Sequence, residues 1–182
     1  MEKKRMSAII SAGAFVIASG VWASEVWASD GTITFTGEIT AQTCTVNSTG
    51  GGNNFTVVLP TVAASTLGTS GATTGDTAFS ILLSRCTPDS GPVRTHFEAG
   101  STVNADGRLL QQTGTATNVE IQLLNGDQSV IKVGDSVASQ NSNPTTIASG
   151  SATLPYFGRY YATASATAGT VNTYVTYSMA YE

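Results

Sequence analysis

From Val171 onward, the residues Val171, Thr173, Val175, Tyr177, Met179 and Tyr181 alternate with Asn172, Tyr174, Thr176, Ser178 and Ala180. A period of two over eleven residues, rich in β-branched and aromatic side chains, predicts one long strand with a buried face. Such a strand at the end of a chain offers an edge that another chain can pair with. Residues 32–39 alternate as well, with Ile33, Phe35 and Ile39 on one face. Shorter strands are predicted over 54–60, stopped by Pro60, and over 78–84, 93–98, 108–112, 118–124, 130–133 and 154–162. Clusters of Gly, Asn, Ser and Pro at 49–54, 69–75, 88–92, 104–107, 125–127 and 140–150 read as the turns between them. Short strands at regular spacing predict an all-β sandwich. Helical periodicity is confined to about one turn near 63–67, and no interdomain linker stands out.

The other end of the chain is of a different kind. Glu2-Lys-Lys-Arg5 is followed by an apolar run from Met6 to Trp22 and by Val21-Trp-Ala23, a small-residue cleavage pattern. This is the layout of a secretory signal peptide, and the run is short for a transmembrane span. Val26-Trp-Ala28 repeats the pattern, so cleavage after Ala28 is the alternative to cleavage after Ala23. The expected division is a signal at 1–23, an N-terminal extension at 24–35 and a domain at 36–182. Export bears on Cys44 and Cys86, the two cysteines of the chain. An oxidising compartment makes a disulfide between them the expectation, and their spacing does not suit zinc.

Charge narrows the function classes. Without Glu2, Lys3, Lys4 and Arg5, 5 basic and 11 acidic side chains remain, for a net charge of about −6. Five scattered cations make no footprint for nucleic acid or anionic lipid. Gly50-Gly-Gly52 lacks the Lys-Ser/Thr of a phosphate loop and reads as a turn. Asp and Glu are spread singly, and His96, the one histidine, has no nucleophile partner in the sequence and reads as structural. The sequons at Asn47 and Asn54 read as turn residues. No catalytic or cofactor-binding constellation emerges, so no enzyme and no cofactor are expected.

Five blocks in order carry a resemblance: Gly31-Thr-Ile-Thr-Phe-Thr-Gly-Glu-Ile39 with Cys44-Thr-Val46, then Phe79-Ser-Ile-Leu-Leu-Ser-Arg-Cys86, Gly114-Thr-Ala-Thr-Asn-Val-Glu-Ile-Gln-Leu124, Leu154-Pro-Tyr-Phe-Gly-Arg-Tyr-Tyr-Ala162, and Gly169 with Tyr181. Together with the cysteine pair and the export signal, the chain resembles the major subunits of chaperone–usher fimbriae, the type 1 pilin-like family. The resemblance implies an incomplete immunoglobulin-like sandwich completed by donor-strand exchange. It implies an acceptor groove walled by the last strand, with Gly169, Val171, Val175, Tyr177, Met179 and Tyr181 as groove and chaperone-contact residues. The donor would be the extension before the domain, with Trp27, Ser29, Gly31, Ile33 and Phe35 on one face and Val26 and Ala28 on the other. The implied partners are neighbouring pilins, a periplasmic chaperone and an outer-membrane usher. The implied location is the extracellular fimbrium of a Gram-negative bacterium, reached through the periplasm. A minor or adaptor pilin, or a tip adhesin with a receptor-binding surface, is the alternative.

Overall fold

The computed structural model describes residues 33–36 and 43–182. The leader at 1–23 and the positions Trp27, Ser29 and Gly31 therefore lie outside the described residues. The segment 33–36 has no regular secondary structure, and its Ile33 and Phe35 are exposed.

Among the described residues, eight strands form two sheets. These are β1 (Thr43–Ser48), β2 (Thr73–Thr87), β3 (Gly91–Phe97), β4 (Leu109–Leu110), β5 (Val119–Asn125), β6 (Thr145–Ile147), β7 (Ala152–Ala162) and β8 (Tyr177–Tyr181). A single 3-10 turn at Ala64–Leu67 is the only helical element among them. One sheet has the order β1-β2-β7-β5-β4, the other β6-β3-β8. Every strand pair is antiparallel.

The alternation seen in the sequence becomes the core. In β2, Phe79, Ile81 and Leu83 point inward; Val93 and Phe97 of β3, and Leu154 and Tyr156 of β7, meet them. Phe79 and Tyr156, cross-strand neighbours in the larger sheet, have ring centroids 5.6 Å apart, and Phe97 of the smaller sheet links the two layers by meeting Tyr156 edge to face at 5.2 Å. Each such pair adds about 0.5–1.5 kcal/mol beyond its buried area. Strand β5 is buried on both faces. Its outward polar residues are matched: Glu120 accepts from Arg108 Nε at 2.6 Å and Asn104 Nδ2 at 2.9 Å, and Gln122 accepts from Arg159 Nη2 at 2.8 Å. Arg108 also lies 4.1 Å over the Tyr161 ring.

A disulfide joins Cys44 at the start of β1 to Cys86 near the end of β2, with Cα atoms 4.1 Å apart. His96 lies in β3, its Nε2 3.1 Å from the Asp135 carbonyl oxygen.

Several predicted strands differ. Residues 130–133 are not a strand, although Ile131 and Val133 are buried. Three successive amides there donate to three different segments: Ile131 to Leu123, Lys132 to Gln140 and Val133 to Gly107. The buried Gln140 side chain takes the place of a strand at the end of β3, accepting from Phe97 N at 2.8 Å and donating to Phe97 O at 2.6 Å. The supposed turn at 140–150 contains β6, and β2 begins at Thr73 inside the supposed turn at 69–75. Residues 54–60 join no ladder, and the expected long strand at 171–181 is a ladder only from Tyr177 to Tyr181. These last two departures flank one feature.

Candidate functional site

Residues 55–59 and 171–177 form the two lips of an open groove of about 710 Å³. Along the first lip, Phe55, Val57 and Leu59 turn inward while Thr56 and Val58 face solvent. Along the second, Val171, Thr173, Val175 and Tyr177 are partly buried and the even positions are exposed. The floor between them is apolar and comes from the five-stranded sheet and its neighbours, with Phe79, Ile81, Ile121, Leu123 and Gly158 beneath the opening.

Hydrogen bonding shows what the groove lacks. In an extended chain, successive residues present their N–H and C=O groups to opposite edges. The even carbonyls of the second lip are used: Thr170 O accepts from Thr115 N (2.9 Å), Asn172 O from Gln112 N (2.8 Å), Tyr174 O from Thr102 Oγ1 (2.7 Å) and Thr176 O from Glu98 N (2.9 Å). Among the described residues, no backbone partner is found for Val171, Thr173 or Val175, whose groups face the groove. On the opposite lip, Phe55 through Leu59 likewise have no backbone partner among the described residues, and alternate ones of them present their groups to the groove. Among the described residues, two rows of backbone groups without partners flank an apolar floor and leave the outline of one further strand.

The lips run in opposite directions. At one end Phe55 packs on Tyr177, centroids 6.4 Å apart, and Tyr177 Oη donates to Asn53 O at 2.7 Å, closing that end. At the other end Val62 and Val171 share one small apolar cluster. Phe55 also stacks on Phe79 at 5.9 Å, tying its lip to the core. Burial pushes the Tyr177 and Tyr160 hydroxyls above the ordinary tyrosine range. It does the same to Tyr181, partly offset by a backbone hydrogen bond from Cys44.

Gly169 sits just before the second lip, and Val171, Val175 and Tyr177 line it. Met179 and Tyr181 lie beyond the closed end in β8, paired with Thr95 and Val93 and packed on the core. The first lip and the floor residue Gly158 were not singled out from the sequence. The signal for Gly158 was present: a glycine at an inward-facing position of a strand marks a close approach of something else. Among the described residues, no three His, Cys, Asp or Glu side chains are grouped to hold a metal, and no helix is long and apolar enough to cross a membrane.

A family model described as FimA, type-1 fimbrial protein, A, matches residues 59–182. The major fimbrial subunit SMF-1 of Stenotrophomonas maltophilia (strain K279a) is 48% identical over 161 residues, covering 85% of this chain and 94% of the relative. The F17 fimbrial protein of Escherichia coli is 41% identical over 166 residues, covering 87% and 91%. Among solved structures, the P pilus rod subunit PapA aligns with a TM-score of 0.58 at 16% identity, over 76% of this chain and 99% of that one. That likeness speaks to the fold alone.

Proposed function

The chain belongs to the type-1 fimbrial protein family and is a structural fimbrial subunit, and we propose that it polymerises by lending a strand to the groove of the next copy. The observation that carries this reading is the pair of facing lips, without backbone partners among the described residues, over an apolar floor. A strand laid between them gains main-chain hydrogen bonds on both sides and places alternate side chains onto the floor. Because the lips are antiparallel to each other, the inserted strand is necessarily parallel to one and antiparallel to the other. The donor is the extension at 24–35 of a second copy, with Trp27, Ser29, Gly31, Ile33 and Phe35 facing the floor. One donor and one acceptor per subunit give a heterologous contact that does not close, hence a filament.

Before assembly, the same open lips need a temporary occupant, since exposed strand edges over apolar surface aggregate. A periplasmic chaperone fills that role, contacting β8 and the lip that precedes it, and an outer-membrane usher releases the subunit into the extracellular fimbrium of a Gram-negative bacterium. Signal removal after Ala23 leaves the whole extension free to act as donor. Cleavage after Ala28 would leave Ser29 to Phe35, roughly 23 Å at 3.3 Å per residue, without Trp27. The curated relatives are structural proteins rather than enzymes.

Gly158→Val tests the groove. The nearest atom to a Cβ there is Leu123 Cδ2 at 4.0 Å, an ordinary contact, and Gly158 lines the open groove. The larger side chain occupies the floor where the inserted strand must rest. The expected outcome is a soluble, folded subunit that forms no fibres under electron microscopy; fibres of normal length would refute the groove as the acceptor.

A further inference from the structure

We infer that Val58 and Tyr174 act as an outer clamp, closing over the solvent-facing side of the strand that fills the groove. The inference rests on the groove reading and adds a recognition surface on the face opposite its floor. Five large apolar side chains are exposed among the described residues: Ile33, Phe35, Val58, Val130 and Tyr174. Val58 is 80% exposed on one lip and Tyr174 59% exposed on the other. Phe55 meets Tyr177 at the closed end; Val58 is three residues along one lip and Tyr174 three residues back along the other. The antiparallel course of the lips therefore sets the two side chains level with each other, on the outward face.

Lips that admit one strand stand two strand spacings apart, about 10 Å, too far for Val58 and Tyr174 to cover each other. A residue on the inserted strand between them comes within cross-strand distance of both. The occupant is the N-terminal extension of a second copy. On that segment the positions that alternate with Ile33 and Phe35 are Thr32 and Thr34. With Ile33 and Phe35 on the floor, a β-branched threonine faces outward between an aromatic ring and a valine, a favourable cross-strand combination. The clamp thus reads the outer face of the donor, favouring a β-branched or apolar side chain and disfavouring a charge.

Fibres of the full-length chain carrying Val58→Ser or Tyr174→Ser test this through their dissociation rate in guanidinium, with Val130→Ser as the off-groove control. Both lip positions are exposed in the unfilled subunit, so folding is expected to be retained, and circular dichroism of the subunits checks it. Loss of one cross-strand pair is expected to speed dissociation by about threefold for each lip variant, with Val130→Ser unchanged. Lip variants dissociating at the parental rate, or a control accelerated equally, would overturn the clamp. Failure of the groove itself is read separately: fibres formed by Gly158→Val would remove the premise, whereas parental lip rates with Gly158→Val still blocked would remove only the clamp.

Discussion

Gly169 is exposed, yet it has no room for a side chain. A Cβ there would meet the backbone of Thr115 and Ala116. The approach is held by reciprocal bonds, Thr115 N to Thr170 O at 2.9 Å and Thr170 N to Thr115 Oγ1 at 3.0 Å, which fix the start of the second lip. Gly169→Ala should therefore destabilise the subunit by about 1–3 kcal/mol, as overpacking does elsewhere. Gly100→Ala is the matched control, because nothing lies within 4 Å of a Cβ at that position. Guanidinium unfolding of the two variants should separate them, and equal midpoints would show that the contact yields without cost. At this scale the sequence was most readable. The alternation from Val171 to Tyr181 named the inward side chains, and the burial pattern follows it as far as Met179.

Strand limits were less readable, for reasons the individual elements show. Residues 78–84 and 154–162 carry strong alternation and lie inside β2 and β7. Ile131 and Val133 alternate equally well, but their segment spends its amides on three neighbours and forms no ladder. Strand β6 is three residues long, too short to leave a period within its turn-rich surroundings. The lips are the instructive case. Alternation reports which side chains face inward and says nothing about whether the main chain has a neighbour. Phe55 to Leu59 thus reads like any core strand, and that it has no ladder partner among the described residues is visible only in three dimensions.

The disulfide works at the same scale, tying the start of β1 to the end of β2 across a separation of 42 residues. Closing a loop of that size stabilises by roughly 4 kcal/mol in the chain-entropy account. The double variant Cys44→Ser with Cys86→Ser should lower the unfolding free energy by about 2–5 kcal/mol in denaturant titration. An unchanged midpoint would show that the β1–β2 pairing is self-sufficient.

Taken whole, the described residues form a two-sheet sandwich with a groove that leaves room for one further strand. Its aromatic chain runs from Tyr177 through Phe55, Phe79 and Tyr156 to Phe97, so the groove opens directly onto the core. Filling the groove therefore completes a hydrophobic core as well as a sheet, and the assembled state should be far more stable than the single subunit. The proposed filament requires the extension of one copy to occupy the groove of another. Photocrosslinking from position 33 in assembled fibres, made from mixed isotope-labelled and unlabelled subunits, tests it most directly. Mass spectrometry should find adducts between copies, from position 33 to the groove floor around Phe79, Ile121 and Leu123. Adducts confined to one copy, or to residues away from the groove, would contradict it.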